Sequence, residues 1–122
     1  MGNTLPSGKK FLYSDNDYQL AIEASKELEY ILESEFQAYG QGLHEKVSSI
    51  ERAIPVPTIR SIRYVATLRN RLIHDREMKA LPDRQAFIKN FDNAMAELNI
   101  LIDKKRLDTH GTPATAPGCV IS

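Results

Sequence analysis

Three polar residues near the middle of the chain have the types and spacing that proton transfer and anion binding require. Arg69 and Asn70 are followed by His74, so the segment reads R-N-x-x-x-H. Imidazole titrates near neutral pH, so His74 can accept or donate a proton. The guanidinium of Arg69 can bind a phosphate or a developing negative charge. In a helix, Asn70 lies one turn before His74 on the same face, where it can orient the histidine or bind substrate.

Arginine is concentrated around this motif. Residues 60–76 contain five arginines, no lysine and a single acid. Because the planar guanidinium fork suits phosphate better than an ammonium group does, we predict that Arg63 and Arg71 bind substrate. Two alternatives need no ligand. An acidic first helix can pack beside this basic one with weak surface pairs, and Arg69 can pair with a glutamate of that first helix.

Apolar residues recur at helical intervals in four segments, and the motif closes the third of them. The first segment covers residues 14–39, with Ser14 as its predicted N-cap, and the second covers residues 43–54. Thr58 is the predicted N-cap of the third segment, which ends at about His74. The fourth begins after Asp83 and ends at about residue 106. No useful stretch alternates with period two, so we predict no strand.

The third helix has an apolar and a polar face when it is drawn at 100° per residue. Ile62, Ala66 and Ile73 share the apolar face with Arg69. The polar face consists of Arg63, Thr67, Asn70 and His74. A guanidinium in an apolar stripe costs several kcal/mol unless an acid or a phosphate pairs with it, so Arg69 is expected to have a partner.

These segments predict an all-α protein, a helical bundle of four main helices spanning residues 14–106. Residues 1–13 are expected to form a flexible arm and residues 107–122, rich in Pro, Thr, Ala and Gly, a disordered C-terminal tail. The remaining histidines, His44 and His110, are expected on the surface.

Composition excludes several classes of protein. The 122 residues carry 16 basic and 16 acidic side chains, so bulk charge does not hold the chain to nucleic acid or membrane. No apolar run has the length of about 20 residues that a membrane span needs. One cysteine and three histidines are a poor supply of metal ligands, and we expect neither a metal nor another cofactor.

The motif in its helical frame resembles the HEPN superfamily, small α-helical bundle domains of which many are metal-independent ribonucleases. The resemblance covers residues 14–103 in architecture, but only Arg69, Asn70 and His74 in specific motif. It implies a cytoplasmic endoribonuclease with a site at the interface of a homodimer. It also implies a toxin or defence setting, often with a small antitoxin partner such as a nucleotidyltransferase-like protein.

Cleavage of RNA without a metal needs a base for the ribose 2′-hydroxyl, a cation beside the phosphorane and an acid for the leaving oxygen. His74 suits the proton transfers and Arg69 the charge. The two side chains point about 140° apart on an ideal helix, so two copies related by a two-fold axis converge them better than one. The alternatives are that His74 merely stabilises the helix end, or that the protein is a non-catalytic HEPN-like dimerisation or binding module.

The last four residues, from Cys119 to Ser122, read C-V-I-S and match the C-a-a-X pattern for farnesylation of Cys119. The basic residues at 104–106 would supply the second signal that stable membrane anchoring needs. A prenylated effector is therefore a further alternative, with membrane association only where Cys119 is processed.

Overall fold

The computed structural model describes residues 12–110, with side chains up to residue 107. Within this range the chain forms four α-helices, one 3-10 helix and no strand, which confirms the predicted all-α bundle. The elements are α1 (Asp17–Phe36), α2 (Leu43–Ser49), η1 (Glu51–Ala53), α3 (Val56–His74) and α4 (Arg84–His110). Most of the predicted arm and residues 111–122 of the predicted tail lie outside the described residues.

Helix α1 is shorter at both ends than its apolar spacing predicts. Asn16, not Ser14, is the N-cap, and its side chain accepts a backbone N–H of the first turn. At the other end, Gln37 adopts the left-handed conformation with φ 57° and ends the helix before Tyr39. Its backbone N–H then bonds to a carbonyl of the last turn, so the helix closes without a glycine.

Proline sets the boundary between α2 and α3, although not at the predicted residues. Helix α2 ends at Ser49 and the chain continues through the 3-10 turn rather than as one helix to residue 54. Helix α3 then begins at Val56, two residues before Thr58. Pro57 is tolerated there because a first-turn residue has no intrahelical acceptor for the N–H that proline lacks.

Asp83 caps α4 as predicted, since its Oδ1 accepts the backbone N–H of Ala86 at 3.0 Å. The apolar residues predicted from their helical spacing in this segment are buried or pack against the core: Phe87, Phe91, Ala94, Met95, Leu98, Leu101 and Ile102. The helix extends to His110, four residues beyond the predicted end.

Helix α3 packs against each of the other three helices. Its buried apolar residues are Ile62, Val65, Ala66, Leu68 and Leu72. Ile73 is 41% exposed, so the apolar face is rotated away from the face predicted through Arg69. Arg69 therefore lies half-buried at the edge of the apolar face rather than within it.

A polar clamp joins the start of α1 to the start of α4. Asp17 Oδ1 pairs with an Nη of Arg84 at 2.6 Å, and Asp17 Oδ2 accepts the backbone N–H of Leu81 at 2.9 Å. Arg84 also donates to the backbone carbonyl of Ser14. One carboxylate thus satisfies a side chain and a backbone group that lie more than sixty residues away.

Replacing Asp17 by alanine should lower the free energy of unfolding by about 1–3 kcal/mol, because a part-buried N–H and a guanidinium lose their acceptor. Asp17→Asn keeps an acceptor for one of them and should lose less. Asp15→Ala, a change at an exposed acid next to the cap, is the matched control and should have little effect. Urea denaturation measures all three variants, and equal losses in Asp17→Ala and Asp15→Ala would contradict the clamp.

Candidate functional site

A cavity of about 360 Å³ lies between α1, the start of α2 and α3. Arg69 and Asn70 line it from α3, Ser25 and Glu29 line it from α1, and His44 lines it from α2. Two members of the predicted catalytic motif thus share a cavity with residues that are far away in the sequence. A volume of this size falls within the range of about 300–1,000 Å³ that is typical of small-molecule sites.

Arg69 is held in this cavity by its neighbour, not by an acid. One of its Nη atoms donates to Asn70 Oδ1 at 3.0 Å, and within residues 12–107 it makes no ion pair. The same holds for the other four arginines of residues 60–76 in the described part of the chain. In the described residues, Arg69 therefore does not form the expected pair with a glutamate of α1, and no arginine of residues 60–76 forms an ion pair with α1.

Three of the six acids of α1 pair with the neighbouring helices α2 and α4 instead. Within the described range the ion pairs are Asp17–Arg84 at 2.6 Å, Glu33–Lys46 at 3.1 Å and Glu35–Arg106 at 3.8 Å. Although α1 packs against α3, no acid of α1 forms an ion pair with α3 in the described residues, and Glu29 lines the same cavity as Arg69 without pairing with it.

The N-terminal half of the polar face of α3 makes side-chain contacts with α2. Arg63 donates one Nη to His44 Nδ1 at 3.1 Å and the other to Ser48 Oγ at 2.8 Å. Thr67 Oγ1 lies 3.3 Å from His44 Nε2. Arg63, predicted to bind substrate, thus makes hydrogen bonds within the bundle, whereas the face is open from Asn70 onwards.

His44 is half-buried rather than on the surface, where the sequence analysis expected it. Burial and, to a lesser extent, the guanidinium of Arg63 lower the pKa of His44, so the neutral ring is favoured. Because a guanidinium can only donate, Nδ1 is the acceptor and the proton of the neutral ring lies on Nε2, facing Thr67. Sequence spacing carried no signal for this contact, which joins residues 19 positions apart.

His74 is the last residue of α3 and is exposed, as is Arg71 beside it. Neither residue lines the cavity that contains Arg69 and Asn70. Within one chain, the structure therefore brings Arg69 and Asn70 together and leaves His74 apart from them. Cys119, the predicted prenylation site, lies outside the described residues.

Comparison of the chain with protein-family models, curated proteins and solved structures finds no match. The interpretation of the cavity therefore rests on its own residues. Residues 12–107 contain no group of three or more His, Cys, Asp or Glu side chains placed to hold a metal ion. Among the described helices, none combines the length and apolar character that crossing a bilayer requires.

The lowered pKa of His44 predicts a pH dependence of stability. In the unfolded chain the ring regains its ordinary pKa of 6.5 and binds a proton more readily than in the folded protein. The contribution of the neutral ring is therefore present above pH 6.5 and is lost as the pH falls through the lower pKa of the folded state.

We expect the drop in melting temperature between about pH 7.5 and about pH 5.5 to be smaller in His44→Gln than in the unchanged protein. Burial raises the pKa of Glu27, which also titrates on acidification, but Glu27 is present in both proteins and cancels in the comparison. Differential scanning calorimetry measures the two drops, and equal values would show that His44 is not the responsible group.

Proposed function

We propose that the protein is a metal-independent endoribonuclease that acts as a homodimer, as its resemblance to the HEPN superfamily implies. The observation that supports this most is the position of Arg69, a half-buried residue that lines a cavity and whose guanidinium bonds to no acid in the described chain. A guanidinium without an acidic partner can bind a phosphate through two parallel hydrogen bonds.

The proposed reaction needs only groups that the motif supplies. His74 accepts the proton of a ribose 2′-hydroxyl, the 2′-oxygen bonds to the adjacent phosphorus, and the bond from phosphorus to the 5′-oxygen breaks. A protonated His74 from the second copy delivers a proton to that leaving oxygen. Arg69 stabilises the charge on the phosphorane, and the products are a 2′,3′-cyclic phosphate and a 5′-hydroxyl.

A second copy of the chain is part of the proposal because one copy separates the motif. Arg69 lies at the cavity and His74 is exposed at the end of the helix. A two-fold axis close to the ends of two α3 helices would place Arg69 of each copy near His74 of the other. Arg71, exposed at the same end, would contact the flanking phosphates.

The biological role of the protein is also part of the proposal. The resemblance implies a toxin or defence protein acting in the cytoplasm, whose activity a nucleotidyltransferase-like antitoxin would restrain. Cys119 would add membrane association only in a cell that prenylates it.

A non-catalytic binding module is the second candidate, and one observation favours it. No side-chain hydrogen bond among the described residues orients the His74 ring. A module that only binds RNA or a protein through α3 would need Arg69 but not His74. The two candidates therefore differ in what His74 does.

Single substitutions of the motif residues should distinguish the endoribonuclease from the non-catalytic binding module. In an endoribonuclease, His74→Ala should reduce RNA cleavage by about 10²- to 10⁴-fold and Arg69→Ala by about 10²- to 10³-fold. Asn70→Ala should cost less, because Asn70 only holds the guanidinium. Arg60→Ala, an exposed arginine of the same helix, is the matched control. Gel analysis of a labelled RNA in the presence of EDTA, with circular dichroism for folding, measures these effects.

Mixing the two inactive variants tests the composite site. If Arg69 of one copy works with His74 of the other, a dimer of Arg69→Ala with His74→Ala keeps one Arg69–His74 pair but only one of the two His74 rings. It should therefore regain part of the activity, above that of either variant alone and well below that of the unchanged protein. Full cleavage by folded His74→Ala would overturn the role of His74, whereas RNA binding without cleavage by the unchanged protein would leave the binding module. Loss of cleavage in EDTA would overturn the metal-free mechanism.

A further inference from the structure

The cavity is lined by one guanidinium and two carboxylates, which form no ion pair with one another. Arg69 lies on its α3 wall and Glu29 on its α1 wall, yet the two side chains form no ion pair. The hydrogen bond from Arg69 to Asn70 directs the guanidinium along its own helix instead. Opposite charges that line one cavity attract each other. Since Arg69 and Glu29 do not meet in an ion pair, a ligand placed between them can contact both.

Glu29 has one carboxylate oxygen available for such a ligand. Its Oε2 accepts a long hydrogen bond of 3.3 Å from the buried hydroxyl of Ser25, and its Oε1 has no hydrogen-bond partner among the described residues. Glu45, the other acid that lines the cavity, already accepts the backbone N–H of Gln41 at 3.0 Å. Glu29 is therefore the better placed acceptor.

The required ligand has an anionic end for Arg69 and an N–H edge for Glu29. A nucleotide has both, as a phosphate and a base. Among the four RNA bases, guanine presents two adjacent donors, N1–H and the 2-amino group, which one carboxylate accepts together. Adenine and cytosine present an acceptor beside their amino group, and uracil presents a single N–H between two carbonyls, so a carboxylate meets a repulsive neighbour in each.

We propose that Glu29 is a specificity-determining residue that selects guanine at the nucleotide beside the cleaved phosphate, with Arg69 on that phosphate. The inference rests on the proposed endoribonuclease function, because only that function makes the ligand part of an RNA. The base pocket itself needs no catalysis, so free nucleotides test it separately. Ser25, one turn earlier in α1, positions Glu29 by donating its hydroxyl to the carboxylate.

The first experiment measures binding of guanosine and inosine 5′-monophosphates to the full chain by isothermal titration calorimetry. The two nucleotides differ only in the 2-amino group. Bidentate recognition predicts that the guanosine nucleotide binds roughly 5- to 100-fold more tightly, and that Glu29→Gln abolishes the difference. Glu23→Gln makes the same charge change on α1 outside the cavity and should preserve it.

The second experiment maps the cut sites in an RNA that contains all four bases in equal number. We expect cleavage beside guanosine in the unchanged protein and in Glu23→Gln, and loss of that preference in Glu29→Gln. Circular dichroism confirms that the variants are folded.

The two experiments separate the failure of this inference from that of the proposed function. Cleavage without a base preference, or equal binding of the two nucleotides, overturns the role of Glu29 and leaves the ribonuclease standing. Selective binding of the guanosine nucleotide without RNA cleavage supports the base pocket and overturns the ribonuclease. Preference that persists in Glu29→Gln assigns the selection to another residue and overturns the inference.

Discussion

The burial of one face of α3 against three other helices is the constraint on which the candidate site depends. Five apolar residues of α3 occupy the centre of the bundle, so the helix cannot rotate without exposing them. This fixed rotation directs Arg63 and Thr67 to α2 and directs Arg69 and Asn70 to the cavity. His74 follows at the open end of the same helix. The positions of Arg69, Asn70 and His74 are thus set by the packing of the apolar residues of α3, to which these three residues contribute little.

Charge segregation follows from the same arrangement. Three acidic residues of α1 pair with cations of α2 and α4, and none forms an ion pair with α3 in the described residues. In a chain with zero formal net charge, this leaves an arginine-rich helix whose guanidiniums make no ion pair in the described residues. A neutral total therefore gives no information about the local potential. The distribution of the pairs decides where an anion can bind.

Sequence reasoning identified all four helices because their apolar residues repeat over several turns, and each repeat buries a face of the helix. It placed the C-terminal end of α3 and the N-cap of α4 correctly, but it missed both ends of α1, where one hydrogen bond decides the boundary. Asn16 caps α1 although Ser14 is an equally good residue for the task, and Gln37 ends it in a conformation for which glycine is preferred. The rotation of α3 was also misjudged, because Ile73 fits a helical wheel equally well on the buried or the exposed side.

Only those residues of the candidate site that are neighbours in the sequence could be predicted. Arg69, Asn70 and His74 stand within one segment, whereas Glu29 and His44 reach the cavity from helices whose spacing carries no sign of it. The cavity in turn changes what the motif means. In a single chain Arg69 lines a polar cavity and His74 is exposed at the end of the helix, so the two side chains do not converge on one phosphate. A phosphate bound at Arg69 could meet an imidazole only if a second helix end approached it, so the separation within one chain is itself an argument for a site between two chains.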